Sequence, residues 1–253
     1  MSPRPQNSDE QNDVAERLTF LEFYEWWRWT SDQSVSIVGG IGSGKTTLLI
    51  AIMPKQSSVA FMATKPRDKM YDKLVSQGYK MIEKWPRPSP MTKYPNPGPR
   101  VILHPPVQNI TDDDVSRRRT VFRQALEQIF IAGSQPGGIG DRVVVVDEAH
   151  YLTQTLGLKK QYTTLILQGR AMGIPVVAGS QRAAWVPRET WSEATHIFMF
   201  GSRDRRDLLT LRELGGRVDP DQIIEGVMSL EEHEFLYVNR VSGRMAISMA
   251  PEA

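Results

Sequence analysis

The sequence predicts an α/β protein with a mostly parallel, doubly wound sheet and a C-terminal β-hairpin, and three observations carry that expectation. The apolar run Val35–Val38 leads through Gly39-Gly40-Ile41-Gly42-Ser43-Gly44-Lys45-Thr46 into the helical pattern of Thr47–Met53, a strand–loop–helix unit. Val143-Val144-Val145-Val146 is an unbroken β-branched run that suits a strand buried on both faces of a parallel sheet, and it ends in Asp147-Glu148. Strand and helix patterns then alternate along the chain, as βαβ units require.

Composition narrows the class. The 253 residues, 40% hydrophobic and 24% charged, describe one globular domain over 14–250 behind a polar lead. Cysteine is absent, which excludes disulfides and thiolate metal centres. His104, His150, His196 and His233 show no ligand spacing. No apolar stretch approaches the ~18 residues of a membrane span and no secretory leader is present, so a soluble, intracellular protein is expected. A net charge of +2 means that any nucleic-acid surface must be local.

Met1–Asp13 is polar and rich in Pro, Asn and Ser, which predicts a disordered lead. Over Val14–Trp29 the spacing of Leu18, Leu21, Phe23, Tyr24, Trp26, Trp27 and Trp29 predicts a helix with an aromatic face. That face would pack on the sheet or on a neighbouring subunit, or stack on a base. Ser58–Thr64 reads as a strand and Lys69–Gln77 as a helix stopped by Gly78. Trp85–Pro106 holds eight of the 17 prolines, which exclude regular structure except for a short strand over Val101–His104. It is expected to be a surface excursion, either a partner-binding arm or a rigid loop. Thr111-Asp112-Asp113-Asp114 places acids at the start of a helix that runs to about Ala132. Gly133–Gly140 reads as a flexible turn into the Val143–Val146 strand, and Gly169–Arg182 as a helix end followed by a buried strand with an amide at its tip. Glu234–Arg240 and Arg244–Met249, turning at Val241–Gly243, read as the terminal hairpin.

The glycine-rich segment matches G-x-x-x-x-G-K-[ST] in full. Its glycines let successive backbone N–H groups turn onto phosphate oxygens at a helix N-terminus, while Lys45 adds a point charge and Thr46 a hydroxyl for Mg²⁺. Gly39, Gly40, Ile41, Gly42, Ser43, Gly44, Lys45, Thr46 and Thr47 are thus expected to form a P-loop that binds ATP with Mg²⁺. Asp147 reads as the Mg²⁺ carboxylate, direct or outer-sphere, and Glu148 as the general base for a water attacking the γ-phosphorus. The alternative is two acids that merely solvate a strand end. One strand is expected between the loop strand and the Asp147 strand in the sheet, which is the RecA-like, additional-strand, catalytic-glutamate division of P-loop NTPases. The Asn-Lys-x-Asp of base-reading GTPases is absent.

Arg170-Ala171-Met172-Gly173-Ile174 precedes a strand ending Ser180-Gln181-Arg182, and Thr195–Asp207 follows. With the loop and Asp147-Glu148, these segments make Val35–Arg240 resemble the FtsK/HerA superfamily of hexameric DNA-pumping ATPases, which includes conjugation coupling proteins and viral genome-packaging motors. The resemblance implies an ATP-hydrolysing subunit that assembles as a ring, a hexamer, and translocates DNA through sequence-independent backbone contacts. It implies a cytoplasmic setting in a bacterial or archaeal cell, or in one infected by a virus that encodes the protein. Gln181 is implied as the γ-phosphate sensor, against the alternative of a polar strand cap. An arginine supplied to the neighbouring site is implied as well, Arg170 first and Arg182 second, against the alternative of a surface salt bridge. Arg117–Arg119 and Arg203, Arg205 and Arg206 are candidates for DNA-backbone contact, with a solvated helix face or intersubunit ion pairs as the alternative. The chain departs from the best-known members in having no anchoring segment, long linker or winged-helix module after Ala253, so a bare motor is expected. Two other classes stand beside this one. Asp147-Glu148-Ala149-His150 spells a DEAH helicase motif, although a second RecA-like lobe has no room. A nucleotide-gated assembly or regulatory ATPase would hydrolyse slowly and move no nucleic acid.

Overall fold

The structure is a computed structural model that describes residues 15–89, 91–136 and 141–251. The disordered lead expected over Met1–Asp13 and the second half, 137–140, of the Gly133–Gly140 turn lie outside the described residues.

The described chain starts with a strand, not a helix. Glu16–Leu18 forms β1, and the aromatic helix α1 is confined to Phe20–Trp26. Thr19 explains the boundary: its hydroxyl accepts the Glu22 N–H at 3.3 Å and Glu22 Oε2 accepts the Thr19 N–H at 2.8 Å, a capping box that starts the helix there. Then come β2 (Val35–Val38), α2 (Lys45–Ile52), β3 (Val59–Met62) and α3 (Lys69–Ser76). A strand not anticipated, β4 (Lys80–Ile82), precedes the Pro-rich segment, and β5 (Arg100–Leu103) follows it. The rest is α4 (Asp112–Gly133), β6 (Val143–Val146), α5 (Lys159–Gly169), β7 (Val176–Ser180), α6 (Glu189–Ser192), β8 (His196–Phe200), α7 (Arg205–Arg212), α8 (Pro220–Met228), β9 (Glu234–Asn239) and β10 (Met245–Met249).

All ten strands join one sheet in the order β1-β10-β9-β8-β2-β7-β6-β3-β5-β4. The pairs are parallel except those made by β9, which runs antiparallel to both β8 and β10. The expected inserted strand is β7, which pairs with β2 on one side and β6 on the other. The period of two along β6 shows why its run is apolar without interruption. Val143 and Val145 enter the core beneath α1, α2 and α3, whereas Val144 and Val146 enter the core beneath α4, α5, α7 and α8.

The N-terminal aromatic residues are consumed by packing. Phe23 is fully buried, with ring centroids 5.9 Å from Phe198, 5.2 Å from Phe235 and 5.3 Å from Tyr237. Beside it, His196 Nε2 meets Gln33 Oε1 at 2.8 Å, while the Tyr237 hydroxyl and Trp27 Nε1–H reach Nδ1. Burial lowers the imidazole to about 4, so it is a neutral core group.

The Pro-rich excursion is held against the body. Arg142 is buried and donates from Nη2 to Asn96 Oδ1 at 2.7 Å and to the Gly98 carbonyl at 2.8 Å, with its guanidinium 5.7 Å from the Trp85 ring. No helix among the described residues is long and apolar enough to cross a membrane. Because Phe23 fills the centre of the aromatic cluster, Phe23→Ala is expected to lower the free energy of unfolding by about 3–5 kcal/mol, read from the urea midpoint at constant slope.

Candidate active site

The site lies at the carboxyl ends of the central strands, where open parallel sheets gather ligands. The loop leaves β2 with Gly39 N–H donating to Ser180 O at 3.2 Å, so its first residue is tied to the tip of β7. Gly44 caps α2 in the left-handed region at φ +102°, and a Cβ there would stand 2.9 Å from Ala250 Cβ; glycine is required twice over. Lys45 Nζ folds across the loop to donate to Gly40 O at 2.8 Å. Desolvation lowers this ammonium to about 8, against the attraction of Glu148.

Facing the loop is a cleft of about 320 Å³ that brings together Lys45, Thr46, Asp147, Glu148 and Gln181, and also Lys65. Asp147 is only 8% exposed. Its Oδ1 accepts from Thr64 N–H at 3.1 Å and from the Thr64 hydroxyl at 2.6 Å, and its Oδ2 accepts from the Tyr71 hydroxyl at 3.2 Å. Burial raises its carboxyl, and those donors work in the opposite direction. Glu148 is raised by burial too, against a hydrogen bond from Gln181 Nε2 to Glu148 Oε2 at 3.1 Å. The β7–β6 contact that makes this bond possible depends on Gly179, where a Cβ would stand 2.6 Å from Asp147 O.

A second stitch joins the same two strand tips. His150 Nδ1 meets Trp185 O at 3.0 Å and the two rings lie 5.1 Å apart. Arg182, next to Gln181, is paired within its own chain: Nη2 to Asp204 Oδ2 at 2.5 Å and Nε to Asp207 Oδ2 at 3.1 Å. Arg170 stands elsewhere. It opens the 3₁₀ turn before β7, exposed, at the amino end of a five-residue strand that Gln181 follows at the other end, and that strand spans about 17 Å. After the larger effect of the Thr30 hydroxyl, its charge helps to lower Asp32, which lies in the turn before β2.

The two basic clusters separate. Arg118 is buried, donating to Thr64 O and to the Tyr151 hydroxyl at 2.6 Å each, while Arg119 donates to Leu156 O at 2.7 Å. Arg117 bonds Pro106 O and pairs with Asp114. Of the three only Arg118 is taken up inside the fold; Arg117 is half-buried and paired with Asp114, and Arg119 is exposed with its Nε on Leu156 O. Arg203, Arg205 and Arg206 are exposed beyond β8.

The donor set suits Mg²⁺. Thr46 and Asp147 offer oxygen, and among the described residues no group of three or more His, Cys, Asp or Glu could cage a metal. Mg²⁺ commonly takes one or two protein oxygens and completes its shell with waters and substrate phosphates. A second cleft, about 510 Å³, opens on the other side of the loop between Gly42–Thr47 and the chain after β10, with His233 at its wall. Sequence reasoning missed Lys65, Thr64, Tyr71 and His233. The available signal was positional: Thr64 and Lys65 follow the strand that pairs in register with β6, Met62 opposite Val146.

No family model matches the sequence, and no curated protein matches it. Solved structures do. The genome packaging NTPase B204 of Sulfolobus turreted icosahedral virus 2, in complex with AMPPCP, superposes with a TM-score of 0.54 at 16% identity over 88% of this chain and 100% of that one. VirB4 of Thermoanaerobacter pseudethanolicus gives 0.62 at 12% identity over 90% and 92%. The conjugation coupling protein TcpA of pCW3, with ATPγS, gives 0.53 at 12% over 87% and 60%. The fold is similar to that of these three proteins, structures of the kind that the FtsK/HerA resemblance led one to expect. At these identities the likeness is one of fold: an α/β, P-loop ATPase-like architecture with a mostly parallel sheet and a C-terminal antiparallel hairpin.

With Lys45 titrating near 8, binding of a polyphosphate at pH 8.5 is expected to raise its pKa and take up protons. Calorimetry in two buffers of different ionisation enthalpy reads that uptake, and equal heats in both would rule it out.

Proposed function

We propose that this chain is an ATP-hydrolysing motor subunit that assembles as a ring and translocates DNA. One observation carries the reading: a complete phosphate loop faces a Glu148 carboxylate that Gln181 holds by a hydrogen bond from the intervening strand. A carboxylate raised by burial is a stronger base, and an amide already touching it is placed to sense the terminal phosphate.

In this reading the backbone of Gly39–Thr47 and Lys45 bind the phosphates, and the base of ATP lies in the second cleft. Mg²⁺, when bound, neutralises charge between the outer phosphates. Thr46 and Asp147 would hold it, Asp147 directly or through water, with Thr64 and Tyr71 orienting the carboxylate. Glu148 takes the proton from the attacking water. Arg170 cannot serve its own cleft from the opposite end of β7, which fits a residue offered to a neighbouring protomer. Arg182, tied to Asp204 and Asp207, serves to fix Gln181. Support for the DNA-moving part comes from the shared fold, whose members include a genome packaging NTPase and a conjugation coupling protein. The burial of Arg118 and the pairing of Arg117 with Asp114 favour a second reading, a nucleotide-gated assembly ATPase that translocates nothing.

The deciding measurement is steady-state ATP hydrolysis with and without duplex DNA. Strong stimulation that falls with added salt supports the motor, and an unchanged rate with nucleotide-dependent oligomerisation supports the second reading. Lys45→Ala is expected to abolish turnover. Glu148→Gln should bind ATP and hydrolyse it at least about a hundredfold more slowly, and normal turnover there would remove it as the base. Arg170→Ala is expected to fail only in the assembled state, with partial rescue on mixing with Lys45→Ala subunits.

A further inference from the structure

Lys65 shares the cleft with Lys45, and among the described residues these two are the only cationic side chains that line it. Its backbone is fixed on several sides. Thr64 O accepts from Arg118 and Thr64 N–H donates to Asp147, Lys65 N–H meets the Tyr71 hydroxyl at 3.2 Å, and Lys65 O accepts from His104 Nε2 at 3.1 Å. The side chain therefore leaves for the cleft from an immobile point.

The ammonium rests on Asp68 Oδ2 at 2.7 Å, with 36% of the Lys65 side chain exposed. Asp68 does not depend on that contact for its own place. Its other oxygen, Oδ1, accepts Met70 N–H at 3.0 Å and caps α3. A part-exposed pair of this kind is a weak restraint on a flexible four-carbon stem. A triphosphate entering the cleft would bring several negative charges to the end of the pocket near Glu148, and both ammonium groups can exchange their present partners, Gly40 O and Asp68 Oδ2, for it. Arg170 and Arg182, the other cations considered for that role, are respectively at the opposite end of β7 and bound to two aspartates.

We propose that Lys65 is a second phosphate-binding lysine supplied in cis, which leaves Asp68 to contact the terminal phosphate of the bound nucleoside triphosphate. The assignment rests on the nucleotide reading above and adds a residue to it. Lys65 thereby distinguishes triphosphate from diphosphate, while the backbone of the loop and Lys45 bind the phosphates common to both. After hydrolysis the ammonium returns to Asp68.

The test is calorimetric affinity for a non-hydrolysable ATP analogue and for ADP, each with Mg²⁺, on the wild type and on Lys65→Met, Lys65→Arg and Asp68→Asn. Loss of one charge-assisted contact predicts that Lys65→Met binds the analogue about ten- to a hundredfold more weakly and leaves ADP affinity within about twofold. Lys65→Arg should recover most of the preference. Asp68→Asn, which keeps a side-chain oxygen for the cap, should retain it in full. Unchanged ADP binding in Lys65→Met also shows that the variant is folded. Equal losses for both nucleotides, no loss for either, or the same loss in Asp68→Asn would each overturn the assignment. Wild-type protein that binds neither nucleotide overturns the nucleotide reading along with it, whereas normal wild-type binding with an unaltered preference in Lys65→Met overturns this assignment alone.

Discussion

Burial of the Asp147 carboxylate is the constraint around which the site is organised. A charge removed from water must be met by donors, and here they come from Thr64 at the tip of β3 and Tyr71 on α3. Each such bond to a charged group contributes about 1.5–3 kcal/mol, and loss of a partner leaves the charge uncompensated. The restraint continues outward, since Arg118 on α4 holds Thr64 O and the Tyr151 hydroxyl. Two strands, two helices and the turn after β6 are thus joined through polar contacts above an apolar sheet. The same contacts fix the mouth of the cleft.

The inserted strand β7 connects this network to the phosphate loop. Its last carbonyl ties down Gly39, its Gly179 permits close approach to Asp147, and its following residue reaches Glu148. Gln181 therefore stands between the loop and the base. Arg182 extends the line of contacts to Asp204 and Asp207 at the start of α7, close in sequence to the exposed Arg203, Arg205 and Arg206. An altered Glu148–Gln181 bond thus has a direct physical route to a basic surface.

Much of the fold was legible because its signals are local. The loop is a contiguous motif, and β6 and β7 are apolar runs closed by polar residues at their tips. The antiparallel pair β9 and β10 follows from alternation around a glycine-containing turn. The strands β1 and β4 were not legible: each has three residues, too few for a period, and each is a strand only because a distant partner lies beside it. The part that Arg118 plays was not legible for a related reason. Charge density in sequence suggests a displayed surface, yet Arg118 is buried on the Thr64 carbonyl and the Tyr151 hydroxyl, both far along the chain.

The sequence by itself determined the sheet class, the loop and its helix, the acidic strand tip and the amide that faces it, because each rests on residue type and near spacing. Tertiary structure alone decided the strand order beyond the inserted strand, the internal role of Arg118, the cis pairing of Arg182, the remoteness of Arg170 and the presence of Lys65 in the cleft. Those features depend on which distant backbone groups meet. Side-chain chemistry states what a residue can bind, and only the packed sheet states what lies within its reach.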